Sequence, residues 1–448
     1  MTSVVSTTPS GRTSAPRAEA GASPVSLNLA IALALAIAAT VFSSYLCSKV
    51  DPEIFKPYAD NVWFHADTKR VLENMTDAQS SHLRNKVHPI ASLITYPLVR
   101  TVAWLTGSSP SHAALHVTAL SAGLFTALLY GTLVAIGLPI RVAAAFVLLA
   151  GSSAASIMFS SIPELYPLGA VSMTLVLLAA ARAAQGRFSE TSLVLVSAAS
   201  LSMTVTNWMA GVLYAFTHLP WQQALKRTAQ ALAIVVVLAL LQKALFPTSG
   251  LFFLGAPEES RFIAHRESGS LADRLVAMFM HGIVLPELRT VSAGEPFIWD
   301  RLSVQSSVPG SHSIAGALAS VVWLVLLVAG GIGAARMAPQ WKRFRLVLFG
   351  ALAGQVLLHS IYGEETFLYS LHLLPFLVTF AALSWFSPMR RFVLPLVLMT
   401  SVLALSNNLS GFSTASRHLA QSVGERERME RVAALGPGGV WPRPPGEV

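Results

Sequence analysis

Apolar residues along the chain come in long blocks rather than in alternation. Windows of membrane-spanning length or slightly less run from Val25 to Cys47 and then over 112–136, 141–159, 163–185, 190–206, 208–220, 227–246, 312–335, 344–361, 367–386 and 391–408. About 20 apolar residues in a helix match the hydrocarbon thickness of a bilayer, so the pattern predicts about eleven transmembrane helices. The first block exceeds a signal-peptide core and reads as an uncleaved helix. A further segment, 88–106, is apolar but interrupted by Pro89, Pro97 and Arg100. In it Ile90, Leu93, Ile94, Leu98, Val102 and Leu105 recur at helical spacing, with Ser92, Thr95, Tyr96 and Arg100 largely opposite. That is the pattern of an amphipathic helix lying in the plane of the interface.

Charge decides whether this segment crosses. If it stays in plane and the N-terminus is cytoplasmic, Arg141, Arg182, Arg187, Lys226, Arg227, Arg336, Lys342, Arg343, Arg345, Arg390 and Arg391 all fall inside. The short outer connections near 160–163, at 207 and at 361–366 then carry no Lys or Arg, as the positive-inside bias requires. Two outer loops are long, 48–111 and 247–310. In the second, Ser270-Leu-Ala-Asp273 opens an amphipathic run to about Val284, the signature of a capped helix. Residues 1–24 read as a disordered cytoplasmic tail, 25–408 as the membrane domain, and 409–448 as a polar C-terminal tail. Within that tail Glu427 and Arg431 have the spacing of a surface helix.

Composition narrows the class. Of 448 residues 53% are hydrophobic and 12% charged, with a mean hydropathy of +0.58, which is more apolar surface than a soluble fold could cover. The expected fold is an all-α polytopic membrane protein with the in-plane helix in a long first external loop. The formal charge of +9 resides largely in short loops between spans, so no nucleic-acid partner is expected. Cys47 is the only cysteine, which excludes an intramolecular disulfide and a cysteine metal cluster. No Gly-rich phosphate loop, His-Glu-x-x-His or Gly-x-Ser-x-Gly is present.

The candidate chemistry lies where the acids are. Asp67, Glu164 and the pair Glu364 and Glu365 all fall on the predicted outer face. Asp67 stands in Asp60-Asn-Val-Trp-Phe-His-Ala-Asp67-Thr-Lys69-Arg70, followed by His82-Leu-Arg84-Asn-Lys86-Val-His88. A carboxylate there suits proton acceptance from a hydroxyl, and Lys69, Arg70, Arg84, Lys86 and His88 suit neutralisation of a lipid phosphate. The plainer alternative is a solvated loop with ordinary ion pairs. Glu164, in Ser160-Ser-Ile-Pro-Glu164-Leu-Tyr-Pro167, has as its alternative an exposed acid at a helix N-terminus. Tyr369 and His372 share one face at the outer end of a span, where an aromatic belt is the competing explanation.

The arrangement resembles the GT-C superfamily of integral membrane glycosyltransferases, most closely the bacterial relatives of protein O-mannosyltransferases and aminoarabinose transferases. The resemblance covers the first helix and its acidic external loop, the second acidic turn, and the late Tyr369-x-x-His372-x-x-Pro375 region. It implies transfer of a sugar from a polyprenyl-phosphate donor to a glycan, lipid or protein acceptor, with inversion, on the extracytoplasmic side of a bacterial inner membrane. It also implies that Asp67 is the first-loop catalytic acid and Glu164 the second, with donor and membrane lipid as partners. Many relatives carry Asp-Glu where this chain has Asp67-Thr68, which leaves a divalent metal ion at the site an open question. They often carry Arg and Tyr where this chain has Tyr369 and His372. The rival class is a membrane transporter or lipid flippase, sharing the helix count and basic inner loops.

Overall fold

The computed structural model describes residues 24–56, 59–255, 257–263, 269–292 and 300–435. The expected N-terminal tail, up to residue 23, the Pro/Gly-rich end from 436, and His265 and Arg266 lie outside the described residues. Helix α1 (Pro24–Cys47) leads to a first loop carrying α2 (Thr68–Thr76) and α3 (Ala91–Thr106). Then follow α4 (Pro110–Ala135), the pair α5 (Ile140–Ser152) and α6 (Ala154–Phe159), α7 (Tyr166–Ala184), α8 (Glu190–Met203), α9 (Trp208–His218) and α10 (Trp221–Leu245). A second loop holds α11 (Leu271–Val276) and an antiparallel pair, β1 (Arg289–Ser292) and β2 (Asp300–Ser303). Helices α12 (Ile314–Arg336), α13 (Lys342–Ile361), α14 (Ser370–Ala382) and α15 (Arg390–Leu435) complete the chain.

Among the described residues eight helical segments are long and apolar enough to cross a membrane. Among the described residues the fold is all-α apart from the β1–β2 pair, and the protein is a multi-pass membrane protein. Its outer surface is apolar, with Leu29, Trp104, Ile314, Leu357 and Val402 exposed, as lipid contact requires. The window expected at 141–159 is broken at Ser153, whose hydroxyl accepts from the Ser156 N–H and so caps α6. Helices α8 and α9 are joined by a single tight turn at Val205–Asn207. Small residues set the closest helix approaches: a Cβ on Gly123 would lie 2.2 Å from Thr40 Oγ1 and 2.7 Å from the Ala36 carbonyl, so α1 rests directly on α4.

Two sets of loops meet separately. On the basic side Gln185 Nε2 donates to the Ala135 carbonyl (2.6 Å), Arg227 Nε to Glu190 (2.6 Å), and the Phe188 and His218 rings stack. On the acidic side the first loop meets every other acidic connection. Trp63 Nε1 donates to the Met158 carbonyl, Val205 N–H to Val87, Ile90 N–H to Ser202 and Leu302 N–H to Val62. Both ends of α3 lie among these acidic-side segments, because Ile90 meets Ser202 and α4 begins beside Phe55, whose ring contacts His112. Ser92 and Thr95 of α3 are buried while Leu98 and Leu105 are exposed.

Helix α11 has the expected capping box: Ser270 Oγ accepts from Asp273 N–H and Asp273 Oδ2 accepts from Ser270 N–H. A π turn at Ala277–His281 then ends it, short of the predicted Val284. Helix α15 runs through residue 409, where a polar tail was expected to begin. It continues along the acidic side, with Ser416 Oγ accepting from Asp51 N–H and Glu427 pairing with Lys56 at 2.7 Å. The side chain of Arg431, expected as the i,i+4 partner of Glu427, lies outside the described residues, and the pair that the structure describes for Glu427 is with the first-loop Lys56.

Asn407 and Asn408 of α15 tie the acidic side together. Asn408 Oδ1 accepts from Leu285 N–H, and its Nδ2 donates to the Ser152 and Ile283 carbonyls; Asn407 Nδ2 donates to the Leu285 carbonyl. Replacing Asn408 by Leu removes the partner of the Leu285 N–H and of the Ser152 carbonyl, while the Ile283 carbonyl keeps the Ala154 N–H, so the expected loss is about 2 to 4 kcal/mol. Unfolding in detergent measures it, and a loss under about 1 kcal/mol would contradict this role.

Candidate active site on the acidic face

The site is built by a strained turn. Asn61, Phe64 and His65 have φ of 65°, 48° and 62°, a left-handed backbone that costs non-glycine residues about 1 to 3 kcal/mol each. The winding is closed by Asn61 N–H to the Ala66 carbonyl and Ala66 N–H to Trp63. It drives Trp63 and Phe64 into the core, where Phe64 meets Phe159 and Phe367 edge-on and Trp63 meets Phe412. Each buried ring returns about 1.5 to 3 kcal/mol, comparable to the strain. The polar residues of the turn, Asp60, His65 and Asp67, are left on the other side.

Asp67 is the N-cap residue of α2, without a side-chain cap bond. Both of its oxygens instead meet arginines: Oδ1 lies 2.6 Å from Arg70 and Oδ2 lies 2.5 Å from Arg84. Arg70 also reaches Asp60 at 3.4 Å, and Arg84 reaches Glu259 of the second loop at 3.7 Å. Glu259 in turn accepts from the Tyr362 hydroxyl. Burial works most strongly against the charge of Arg84, but Asp67, Tyr166, Glu259 and Glu164 together outweigh it and raise its pKa. Arg84 Nε and, nearby, Arg301 Nε are buried with no hydrogen-bond acceptor.

A second layer joins the late loop. Glu364 lies 3.2 Å from His65 and 3.3 Å from Arg301. Glu365 turns inward, accepting from Ser303 Oγ at 2.5 Å and from Val304 N–H. Residues of the two long loops and the late loop are thereby locked together around Asp67.

Glu164 is buried rather than exposed, and its Oε2 accepts from Leu165 N–H at 2.9 Å just before α7. Burial first, and the charge of Asp67 second, push its carboxyl up to about 8; burial and Asp67 likewise push Asp60 up to about 6. The three acids therefore differ by environment: Asp67 is held by two guanidinium groups, Asp60 is raised to about 6, and Glu164 carries a proton at neutral pH.

The other candidate residues separate. Lys69 enters through its backbone N–H, which bonds Asp60, while its side chain is half-buried. Lys86 lies over Gly250, where a Cβ would sit 2.6 Å from its Cγ. His88, expected as a phosphate-binding cation, is placed as a buried ring at the end of α8. Its Nδ1 bonds the Met203 carbonyl at 2.8 Å, and burial, reinforced by Arg84, lowers its pKa to about 4, so the neutral ring clamps the first loop to the end of α8. Tyr369 and His372 do lie on one side, both edge-on to Tyr166 at 6.2 and 5.1 Å. Tyr369 also stacks on His359 at 4.0 Å, and His372 presses against α7 where only Gly169 leaves room. Asp60, Glu259, Tyr166 and Tyr362 belong to the cluster but carry no signal of their own in sequence beyond lying in outer loops or at helix starts.

A cation does not fit this donor set. Among the described residues no group of three or more His, Cys, Asp or Glu is disposed to hold a metal ion, and the carboxylates of Asp60 and Asp67 face arginines. Comparison of the chain with protein-family models and with curated proteins finds no match. The chemical capacity of the site therefore follows from its geometry: acceptor oxygens, one protonated carboxyl and guanidinium N–H groups, enclosed at a membrane face.

Because the Glu164 carboxyl is raised, the folded protein holds a proton that the unfolded chain releases. Stability is then lost as pH rises from the ordinary carboxylate range to about 8, and levels off above that. The stability of Glu164→Gln relative to the native chain should grow across that window, as read by thermal unfolding. A difference independent of pH would contradict the assignment.

Proposed function

We propose that the protein is a GT-C type glycosyltransferase that moves a sugar from a polyprenyl phosphate to an acceptor on the extracytoplasmic side of a bacterial inner membrane. In this reading the chain crosses about eleven times, with the shorter α5–α6, α8 and α9 counted as crossings and α3 in the plane of the outer leaflet. The observation that carries it is the convergence of Asp67, Arg84 and Glu164 at one enclosed point on the side opposite the basic loops.

The donor phosphate would take up guanidinium donors, beginning with the unpartnered Arg84 Nε. Drawing Arg84 toward the phosphate releases one oxygen of Asp67. Asp67 then accepts the proton of the acceptor hydroxyl as its oxygen attacks the anomeric carbon, and the bond from that carbon to the phosphate oxygen breaks. Polyprenyl phosphate leaves, its charge held by Arg84. Glu164, protonated, donates a hydrogen bond instead of acting as a second base. Positioning and charge stabilisation supply most of the acceleration, with base catalysis adding roughly 10² to 10⁴-fold.

A transport reading has one observation in its favour. Asn207, Gln355 and His359 form a buried polar chain, with Gln355 Nε2 at 3.4 Å from Asn207 Oδ1 and His359 Nε2 at 3.2 Å from Gln355 Oε1. Buried polar chains mark ion paths in transporters, and this one lies at the acidic-side ends of α9 and α13. Ion-dependent uptake by proteoliposomes would favour it.

Mass spectrometry of envelope glycans and glycolipids from a deletion strain tests the transferase reading. Deletion should remove one sugar; the native gene should restore it, and Asp67→Asn at matched expression should restore less than about a hundredth. Unchanged glycans in all strains would overturn the function, and full rescue by Asp67→Asn would overturn the role of Asp67.

A further inference from the structure

On the basic side, away from the acidic cluster, a groove of about 840 Å³ opens between the start of α5 and the turn from α14 into α15. It is lined by Pro139, Ile140, Val142, Pro388 and Leu394, with Trp385 in its wall and Arg141, Arg390 and Arg391 at its edge. All three arginines are exposed, and among the described residues none forms an ion pair with a carboxylate. Arg390 lies over the ring of Trp385, in the groove wall, at 4.2 Å, so that guanidinium is held beside the groove, while Arg391 lies over the ring of its neighbour Phe392 at 4.7 Å.

The placement of these charges favours an anion. Arg141 and Arg390 stand in the first turns of α5 and α15, where helix dipoles already concentrate positive charge, and neither first turn contains an acid. Three guanidinium groups and two helix N-termini therefore converge on one opening whose interior is apolar. A free anion would satisfy the charges but leave the lining of proline, isoleucine, valine and leucine in water. A molecule with a phosphodiester head and acyl chains matches both halves, and the position at the basic end of the spans is where lipid head groups lie.

We infer that this groove binds an anionic phospholipid of the leaflet on the basic side, with the phosphodiester between Arg141, Arg390 and Arg391 and an acyl chain along Ile140, Val142 and Leu394. The site would anchor the α14–α15 turn against α5 and so hold the base of the long helix whose far end meets the first loop.

Purified full-length protein in a neutral detergent, given phosphatidylglycerol, phosphatidylcholine or inorganic phosphate, tests this by native mass spectrometry and thermal unfolding. Phosphatidylglycerol should be retained and raise the unfolding temperature, and the other two should not. Each arginine replaced by glutamine should weaken retention about five-fold, and the triple variant about a hundredfold. Arg336→Gln with Lys342→Gln, on the same side but outside the groove, should leave retention unchanged. Equal retention of the two phospholipids, an equal shift with inorganic phosphate, or equal losses in the control variant would overturn the inference. Should the triple variant fail to fold, Arg391→Gln alone gives the same comparison.

Discussion

Backbone groups within a membrane or buried in the protein must find partners within the protein, and in this chain that constraint gathers the site. Helices end or break early at Ser152, Met203, His281 and Ile361, each break exposing carbonyls and N–H groups at the acidic side. They are satisfied by one another and by a few buried amides. Asn408 serves the breaks at Ser152 and Ile283, Gln242 holds the Pro89 carbonyl and the Leu93 N–H, and Gln305 receives the Thr366 N–H. Once these connections are made, four distant stretches of sequence have no freedom to separate, and the carboxylates and arginines they carry are brought together.

The electrostatics of the cluster follow from that enforced proximity. Removing Asp67 from water beside Glu164 is tolerable because Arg70 and Arg84 share its charge and because Glu164 keeps its proton. The left-handed turn at Asn61–His65 belongs to the same balance: the burial of Trp63 and Phe64 beneath it offsets the backbone strain and sets where Asp67 enters the cluster. Stability and chemistry are thus opposed at one residue, since the ion pairs that hold Asp67 also occupy the lone pairs a base would use.

Much of the fold is legible in sequence because lipid imposes a simple pattern. The apolar windows coincide with helices, and Ser270 and Asp273 cap α11 as their spacing requires. Asp67 and Arg70, three residues apart, were also within reach. Glu259 was not, because its contacts to Arg84 and Tyr362 depend on how two long loops dock rather than on any local spacing. His88 misleads for a related reason: in a basic loop an imidazole reads as a cation, but a backbone carbonyl from the end of α8 and full burial make it a neutral clamp. The break at Ser153 is hidden within an uninterrupted apolar run, since a capping serine is a weak signal among alanines and glycines.

The central claim is that Arg84 can exchange the Asp67 carboxylate for a donor phosphate. Binding of a polyprenyl phosphate and of the matching polyprenol to purified protein in nanodiscs, native and Arg84→Met, tests it most directly. The account predicts that the phosphate binds the native protein at least about tenfold more tightly than the alcohol, and that Arg84→Met abolishes the difference. Equal binding of phosphate and alcohol, or a preference that survives the loss of Arg84, would contradict it.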